Sequence, residues 1–163
     1  MKEKEKEVYD VLTGLGIPFK RFEHPPVFTV EEAEKYWHNI KGIHCKNLFL
    51  RNKKGTVHYL VIIEAAKRID LKKLTHLLHE DRLSFASEER LKRFLGLSPG
   101  AVSPFGLLYD NKNLVRVFID EGLKKADAVC FHPNVNTATV LIPKDGFLKF
   151  LEKNGNPYHF VSL

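Results

Sequence analysis

Cysteine is nearly absent from this chain: Cys45 and Cys130 are the only two, and they lie far apart. Neither belongs to a Cys-x-x-Cys pair, so the sequence excludes a disulfide framework and a four-cysteine zinc site. Cys130 and His132 offer two metal ligands on one segment, but no second ligand pair has suitable spacing. We therefore expect two reduced thiols and no bound metal ion.

Long apolar runs and nucleotide-binding motifs are also lacking. The charged amino terminus, residues 1–7, leads into no apolar run, which argues against a signal peptide and a membrane span. No Gly-x-Gly-x-x-Gly follows a predicted strand, and no Gly-Lys-Ser/Thr phosphate loop is found. Dinucleotide and nucleoside triphosphate chemistry therefore has no support. We expect a cytoplasmic protein with no membrane contact and no cofactor.

The composition is that of an ordinary globular protein. Of the 163 residues, 44% are hydrophobic and 28% are charged, and the length favours a single domain spanning residues 1–163. Lys and Arg exceed Asp and Glu by 26 to 20, a net charge of +6 that suits an anionic partner without requiring one. Basic clusters could border a polyanion site, although each alone also fits a solvated surface; they are residues 51–54, 67–73 and 124–125.

Periodicity and capping signals predict five helices. They cover 3–15, a segment that begins at Thr29 with Ala33, Tyr36 and Trp37 inward, 71–79 with its leucines inward, 88–95, and 144–153. Strands are predicted at 17–23, 43–51, 56–64, 106–109, 114–120, 126–131, 137–142 and 158–163. Grouped strands with helices inserted between them predict an α/β protein of the α+β type, with a mixed, largely antiparallel sheet and surrounding helices.

The strand 43–51 carries Lys46 and Asn47 where a core strand would have aliphatic residues. Strand alternation places Lys46 on the face of Leu48 and Leu50 and turns Cys45 to the other face. Lys46 is then either a solvated surface lysine or a fixed cation in a cleft, which could stabilise an oxyanion, hold a phosphate or form a Schiff base.

Two later segments could complete a site with Lys46. The loop from Gly100 to Pro104 is stiffened by proline and could offer a close backbone N–H, or be an ordinary turn. His132 ends a strand before Pro133 and could position water, or be a hydrogen-bonded turn residue. A cysteine nucleophile paired with a histidine is disfavoured, because neither thiol lies at a helix N-terminus that would lower its pKa.

Four ordered segments resemble the YbaK/ProX family of aminoacyl-tRNA editing domains, and the resemblance covers nearly the whole chain. They are His24-Pro25-Pro26-Val27-Phe28-Thr29, Cys45-Lys46-Asn47-Leu48-Phe49-Leu50, Gly100 to Pro104, and Phe131-His132-Pro133-Asn134. The lysine strand and the last segment are most similar to the free-standing branch that deacylates Ala-tRNA(Pro).

The resemblance implies hydrolysis, in trans, of the ester between a wrong amino acid and the 3′ end of tRNA(Pro). It places the catalytic roles on Lys46, Gly100 and His132. Expected substrate-binding residues are Asn47, Phe28, Ala101, Pro104 and Asn134. Prolyl-tRNA synthetase and an elongation factor are candidate protein partners. Open alternatives are a deacylase for Cys- or Ser-tRNA and a non-catalytic module that senses tRNA or an amino acid.

Overall fold

The computed structural model describes residues 1–163 and contains all five predicted helices. These are α1 (Glu3–Gly14), α2 (Val30–Trp37), α3 (Leu71–Leu77), α4 (Glu88–Leu95) and α5 (Lys144–Asn154). Thr29, Asp70 and Ser87 begin α2, α3 and α4, because the oxygen of each side chain accepts a first-turn N–H. None of the helices has the length and apolar content needed to cross a membrane.

Eight strands form one sheet: β1 (Lys20–Glu23), β2 (Ile43–Asn52), β3 (His58–Glu64), β4 (Leu83–Phe85), β5 (Arg116–Asp120), β6 (Ala128–Phe131), β7 (Ala138–Pro143) and β8 (Tyr158–Val161). Their order is β1-β7-β6-β2-β3-β5-β8, and β4 pairs with the end of β2. Four of the seven pairings are antiparallel, and β2/β6, β3/β5 and β5/β8 are parallel. The mixed, largely antiparallel sheet predicted from the sequence is confirmed.

The sheet has apolar residues on both faces at its centre. The larger core cluster contains Phe49 of β2 together with side chains of α1, α4 and α5. Leu50, the next residue of β2, belongs to a smaller cluster with Leu74 of α3. The alternation along β2 therefore separates the two clusters, as strand geometry requires.

Some local predictions were wrong. Pro104–Tyr109 is a 3₁₀ helix where a strand from 106 to 109 was expected, because Ser103 caps the turn by accepting the N–H of Phe105. The edge strand Leu83–Phe85 was missed, since three residues carry no clear alternation. Tyr36 and Leu77 were expected to point inward, but both are exposed.

Candidate functional site

The parallel pairing of β2 with β6 brings the lysine strand next to the segment that contains His132. His44 lies opposite Cys130 in this register. Two residues further along each chain, Lys46 and His132 come to the same level, where Pro133 prevents β6 from continuing. The parallel pairing therefore brings both polar residues to the same end of β2 and β6, where they line one cavity.

A small pocket, which we call the Lys46 pocket, lies at this point and has a volume of about 140 Å³. The segment before α2, the first residues of α2, and the loop that follows α4 form its other walls. Its lining residues are Val27, Phe28, Thr29, Val30, Ala33, Trp37, Cys45, Lys46, Asn47, Gly100, Val102 and His132. Five of the eight predicted site residues thus meet in one cavity: Phe28, Lys46, Asn47, Gly100 and His132.

The other three predicted residues lie elsewhere. Ala101 and Asn134 line a neighbouring cavity, which shares Phe28 with the Lys46 pocket. Asn134 is 4% exposed, has a φ of 61°, and both polar atoms of its side chain lack a partner. Pro104 is buried at the start of the 3₁₀ helix and lines neither cavity.

Lys46 brings an uncompensated positive charge to the pocket. Its side chain is half-buried, and its ammonium makes no hydrogen bond or ion pair within the protein. Seven of the twelve lining residues are hydrophobic. A cation in such surroundings acts more strongly on a bound anion or a developing oxyanion than it would in water.

Asn47 adds a polar group that has no partner. Its Oδ1 is buried without a hydrogen bond, whereas its Nδ2 also lacks a partner but is accessible from outside. An unpaired buried oxygen destabilises a fold by about 1–3 kcal/mol. Because this oxygen does not stabilise the protein, its presence is better explained by a role in binding a ligand.

Gly100 lines the pocket with its backbone, because it has no side chain. Its φ is +86°, which favours glycine, and an added Cβ would lie 3.0 Å from Cδ1 of Phe28, so that the Phe28 ring would have to shift. The Gly100 N–H donates to no group in the protein. Gly100 therefore brings an unpaired backbone donor to the same pocket that Lys46 lines.

His132 is fixed as a neutral ring. Its Nδ1–H donates to the carbonyl oxygen of Ala138 at 2.9 Å, which leaves Nε2 as an acceptor with no partner in the protein. Burial is the main cause that lowers the pKa of His132, with smaller contributions from His24 and His44. A neutral His132 can accept a hydrogen bond from water through Nε2.

Trp37 and Thr139 were not predicted as site residues. The Trp37 Nε1–H donates to Oγ1 of Thr139 at 3.3 Å, and that hydroxyl donates to Nε2 of His24 at 2.9 Å. This chain fixes the indole that forms one wall of the pocket. His24 belongs to the recognised His-Pro-Pro segment, but Thr139 has no sequence signal, because its partners lie about 100 residues away.

Both cysteines are unsuited to nucleophilic attack. Cys45 and Cys130 are buried, and burial raises the pKa of both thiols, that of Cys130 to about 12. Little thiolate is therefore present at neutral pH. No group of three or more His, Cys, Asp and Glu side chains could hold a metal ion.

Comparisons with known proteins identify the family. The profile of the aminoacyl-tRNA editing domain matches residues 24–150. The prolyl-tRNA editing protein ProX of Acetoanaerobium sticklandii is 42% identical over 162 residues, which cover 99% of this chain and 98% of that protein. The Bos taurus prolyl-tRNA synthetase associated domain-containing protein 1 is 34% identical over 151 residues, 89% of this chain and 86% of the relative.

A solved structure has the same fold. It is the crystal structure of a proposed trans-editing enzyme for prolyl tRNA synthetase, with a TM-score of 0.75 and 23% identity, covering 100% of this chain and 99% of that one. The structural likeness establishes the fold, and the profile match with the 42% identity establishes the relationship. The chain belongs to the aminoacyl-tRNA editing domain family.

Proposed function

We propose that this chain is a trans-editing deacylase that hydrolyses mischarged tRNA(Pro) and removes alanine. The observation that carries the proposal is the Lys46 pocket: Lys46, Gly100 and His132 line one small cavity, and the Lys46 ammonium, the Gly100 N–H and Nε2 of His132 have no partner in the protein. The prolyl-tRNA editing protein that is 42% identical over nearly the whole chain supports tRNA(Pro) as the substrate.

The reaction asks little of the protein, because an aminoacyl ester is already activated. Water attacks the ester carbonyl carbon, and the carbonyl oxygen takes negative charge. The bond to the ribose oxygen then breaks, and that oxygen receives the proton that the water gives up, so that the free amino acid and tRNA are released. We assign the stabilisation of the carbonyl oxygen to the Lys46 ammonium and the Gly100 N–H, because neither group has to give up a partner in the protein when the substrate binds. Positioning and charge stabilisation account for the reaction without a protein nucleophile.

His132 and Asn47 are assigned to orientation. Nε2 of His132 accepts a hydrogen bond from the attacking water, while Ala138 holds the ring through Nδ1. The accessible Nδ2 of Asn47 donates to the ribose or to the ester. The lowered pKa of His132 makes the ring a weak base, which suits a role in placing water better than one in storing a proton.

The small size of the pocket supports alanine as the amino acid removed. The cavity of about 140 Å³ has apolar walls formed by Val27, Ala33, Trp37 and Val102, which suit the methyl side chain of alanine. A synthetase site built for proline cannot strongly reject the smaller alanine, so a second and smaller site is needed to remove it.

The whole chain is proposed to act as one editing domain that meets the acceptor end of tRNA(Pro). Segments on both sides of the matched residues 24–150 pack onto the same sheet: Val8 and Leu12 of α1 lie in the larger core, and β8 pairs with β5. The relative named for association with prolyl-tRNA synthetase makes that enzyme a candidate partner. An elongation factor stays a prediction.

The test is hydrolysis of purified Ala-tRNA(Pro) by the wild type and by Lys46→Ala. We expect kcat to fall by about 100-fold or more in the variant, the size of effect seen when one oxyanion donor is removed. Lys112→Ala, which removes an exposed lysine of a distant turn, is the matched control and should react like the wild type. Equal rates for all three proteins would remove Lys46 from the mechanism.

A panel of mischarged tRNAs separates the substrate alternatives. We expect Ala-tRNA(Pro) to be hydrolysed faster than Ser- or Cys-tRNA(Pro), and we expect Pro-tRNA(Pro) not to be hydrolysed. Cleavage of Cys-tRNA(Pro) alone would assign the chain to a cysteine-editing branch. Binding of tRNA without hydrolysis of any ester would instead identify a sensing module.

A further inference from the structure

Five basic side chains gather around the turn between β2 and β3 and the side of α4 that faces it. We call this set the Arg51 cluster; it consists of Arg51, Lys53, Lys54, Arg90 and Arg93. None of the protein's four ion pairs includes any of them. Glu88 and Glu89 begin the same helix but form no ion pair with the cluster. Five positive charges are therefore left without a carboxylate partner.

The cluster is organised around a buried neutral histidine. Nη1 of Arg90 donates to the carbonyl oxygen of Gly55 at 3.1 Å and to Nε2 of His58 at 3.0 Å, which accepts. His58 is 3% exposed and its ring stacks on Phe94 at a centroid distance of 3.9 Å. Burial, followed by the charges of Arg90, Arg93 and Arg51, lowers the pKa of His58 to about 4. The charges of three guanidinium groups thus act on one histidine, and no carboxylate forms an ion pair with any of the three.

One face of β2 connects this cluster to the Lys46 pocket. Asn47, Phe49 and Arg51 alternate onto that face: Asn47 lines the pocket, Phe49 packs against Phe94 of α4, and Arg51 lies in the cluster. Four residues of strand separate Asn47 from Arg51, about 13 Å at 3.3 Å per residue. The chain leaving α4 also leads directly into the Gly100 loop.

We propose that the Arg51 cluster binds the phosphate backbone of RNA beside the aminoacylated end, at the acceptor stem. This inference rests on the proposed function, which places the terminal nucleotide at the Lys46 pocket. The separation of about 13 Å equals roughly four nucleotides of a stacked strand at about 3.4 Å each. The phosphates that reach the cluster therefore belong to the junction between the single-stranded end and the first base pairs. Phosphate contacts of this kind fix register and supply affinity without reading bases.

Lys67 and the pair Lys124 and Lys125, from the other two basic clusters of the sequence, are placed less well for this role. Lys67 is neutralised by Asp120 at 2.7 Å. Lys124 and Lys125 precede β6, and because β6 runs parallel to β2 they lie at the opposite end of these strands from Arg51. The pair Lys124 and Lys125 is exposed and carries the same charge as Lys53 and Lys54, so it serves as a control.

The experiment compares Lys53→Ala/Lys54→Ala and Arg93→Ala with Lys124→Ala/Lys125→Ala on two substrates: Ala-tRNA(Pro) and a short alanylated oligonucleotide that ends in CCA. Arg90 is left intact because it holds Gly55 and His58. We expect the two cluster variants to raise KM for the tRNA by about fivefold to tenfold at moderate salt. Their kcat on the tRNA and their activity on the short oligonucleotide should not change. The Lys124/Lys125 variant should match the wild type on both substrates.

Binding of uncharged tRNA(Pro), followed by fluorescence anisotropy at several salt concentrations, tests the surface without any hydrolysis. The slope of log Kd against log salt should become shallower by about 1 for each phosphate contact removed in the cluster variants. Unchanged affinity, or an equal loss in the Lys124/Lys125 variant, would overturn the assignment. If the wild type hydrolyses neither ester yet the cluster variants bind tRNA more weakly, the proposed function fails and the RNA surface stands.

Discussion

The ring of Phe28 lies over Gly100, so that a methyl group on Gly100 would come within 3.0 Å of Phe28 Cδ1. Gly100 also has a φ of +86°, which an L-residue adopts at a cost of about 1–2 kcal/mol. We predict that Gly100→Ala lowers the free energy of unfolding by about this amount and reduces kcat for Ala-tRNA(Pro), because the N–H moves away from the ester. Urea unfolding and single-turnover hydrolysis measure the two effects.

Two further variants separate the contact from the backbone conformation. Phe28 is 67% exposed, so Gly100→Ala/Phe28→Ala removes the contact and should recover only part of the lost stability, since the positive φ remains. Gly14→Ala is the control: nothing lies within 4 Å of its added Cβ, and its φ is not positive. Full recovery in the double variant would show that the contact alone requires glycine.

We predict that Asn47 lowers the stability of the protein but supports its activity. Replacing its buried, unpaired Oδ1 by an apolar side chain of similar size, in Asn47→Leu, should raise the free energy of unfolding by about 1 kcal/mol and lower hydrolysis of Ala-tRNA(Pro). Asn52→Leu on the same strand is the matched control, because Oδ1 of Asn52 accepts the N–H groups of Thr56 and Val57. That variant should be destabilised by about 1–3 kcal/mol. A destabilised Asn47→Leu would contradict the prediction.

Helix ends and hairpins were predicted correctly where the residues that determine them lie close together in the sequence. Ser87 and Gly96 fix the two ends of α4, because a side-chain oxygen and a left-handed glycine act within one turn. The hairpin of β2 and β3 likewise follows from its turn and its apolar runs. The 3₁₀ helix after Ser103 was missed because one serine cap outweighed a strand-like composition.

The lining of the Lys46 pocket was predictable where it consists of short segments and not where it depends on distant partners. Lys46, Gly100 and His132 stand in recognisable segments that the fold brings to one pocket. Thr139 and Trp37 are linked across 102 residues by a hydrogen bond, and a threonine inside an apolar strand gives no sign of it. Ala101 and Asn134 stand in the same segments, yet they face the neighbouring cavity, which sequence spacing cannot distinguish.

The free energy of unfolding should begin to fall at a mildly acidic pH, at which most carboxylates are still ionised. Burial lowers the pKa of His58 to about 4, while the unfolded chain retains the ordinary value near 6.5. As the pH falls below 6.5, His58 binds a proton in the unfolded state but not in the folded state. The free energy of unfolding is therefore highest above pH 6.5 and decreases down to about pH 4. The shift corresponds to a few kcal/mol at most, about 1.4 kcal/mol per pKa unit. Urea unfolding at pH 7, 6, 5 and 4 measures the decrease.

Two histidine variants test whether His58 causes this decrease in the free energy of unfolding. His58→Gln offers Arg90 an acceptor that does not titrate, so its free energy of unfolding should fall less between pH 6.5 and 4 than that of the wild type. His38→Gln, at an exposed position of the chain, should keep the slope of the wild type. Identical slopes in all three proteins would show that His58 is not the group responsible.

Removal of both thiols should leave the reaction intact. Burial raises the pKa of Cys45 and of Cys130, so neither forms enough thiolate to attack an ester, although Cys45 lines the Lys46 pocket. We predict that Cys45→Ala/Cys130→Ala keeps kcat for Ala-tRNA(Pro) within about threefold of the wild type and loses a few kcal/mol of stability at most from the two small cavities. Native protein should also react slowly with iodoacetamide at pH 8, and the urea-unfolded protein rapidly. A loss of activity as large as that of Lys46→Ala, in a double variant that is still folded, would restore the thiol as a nucleophile.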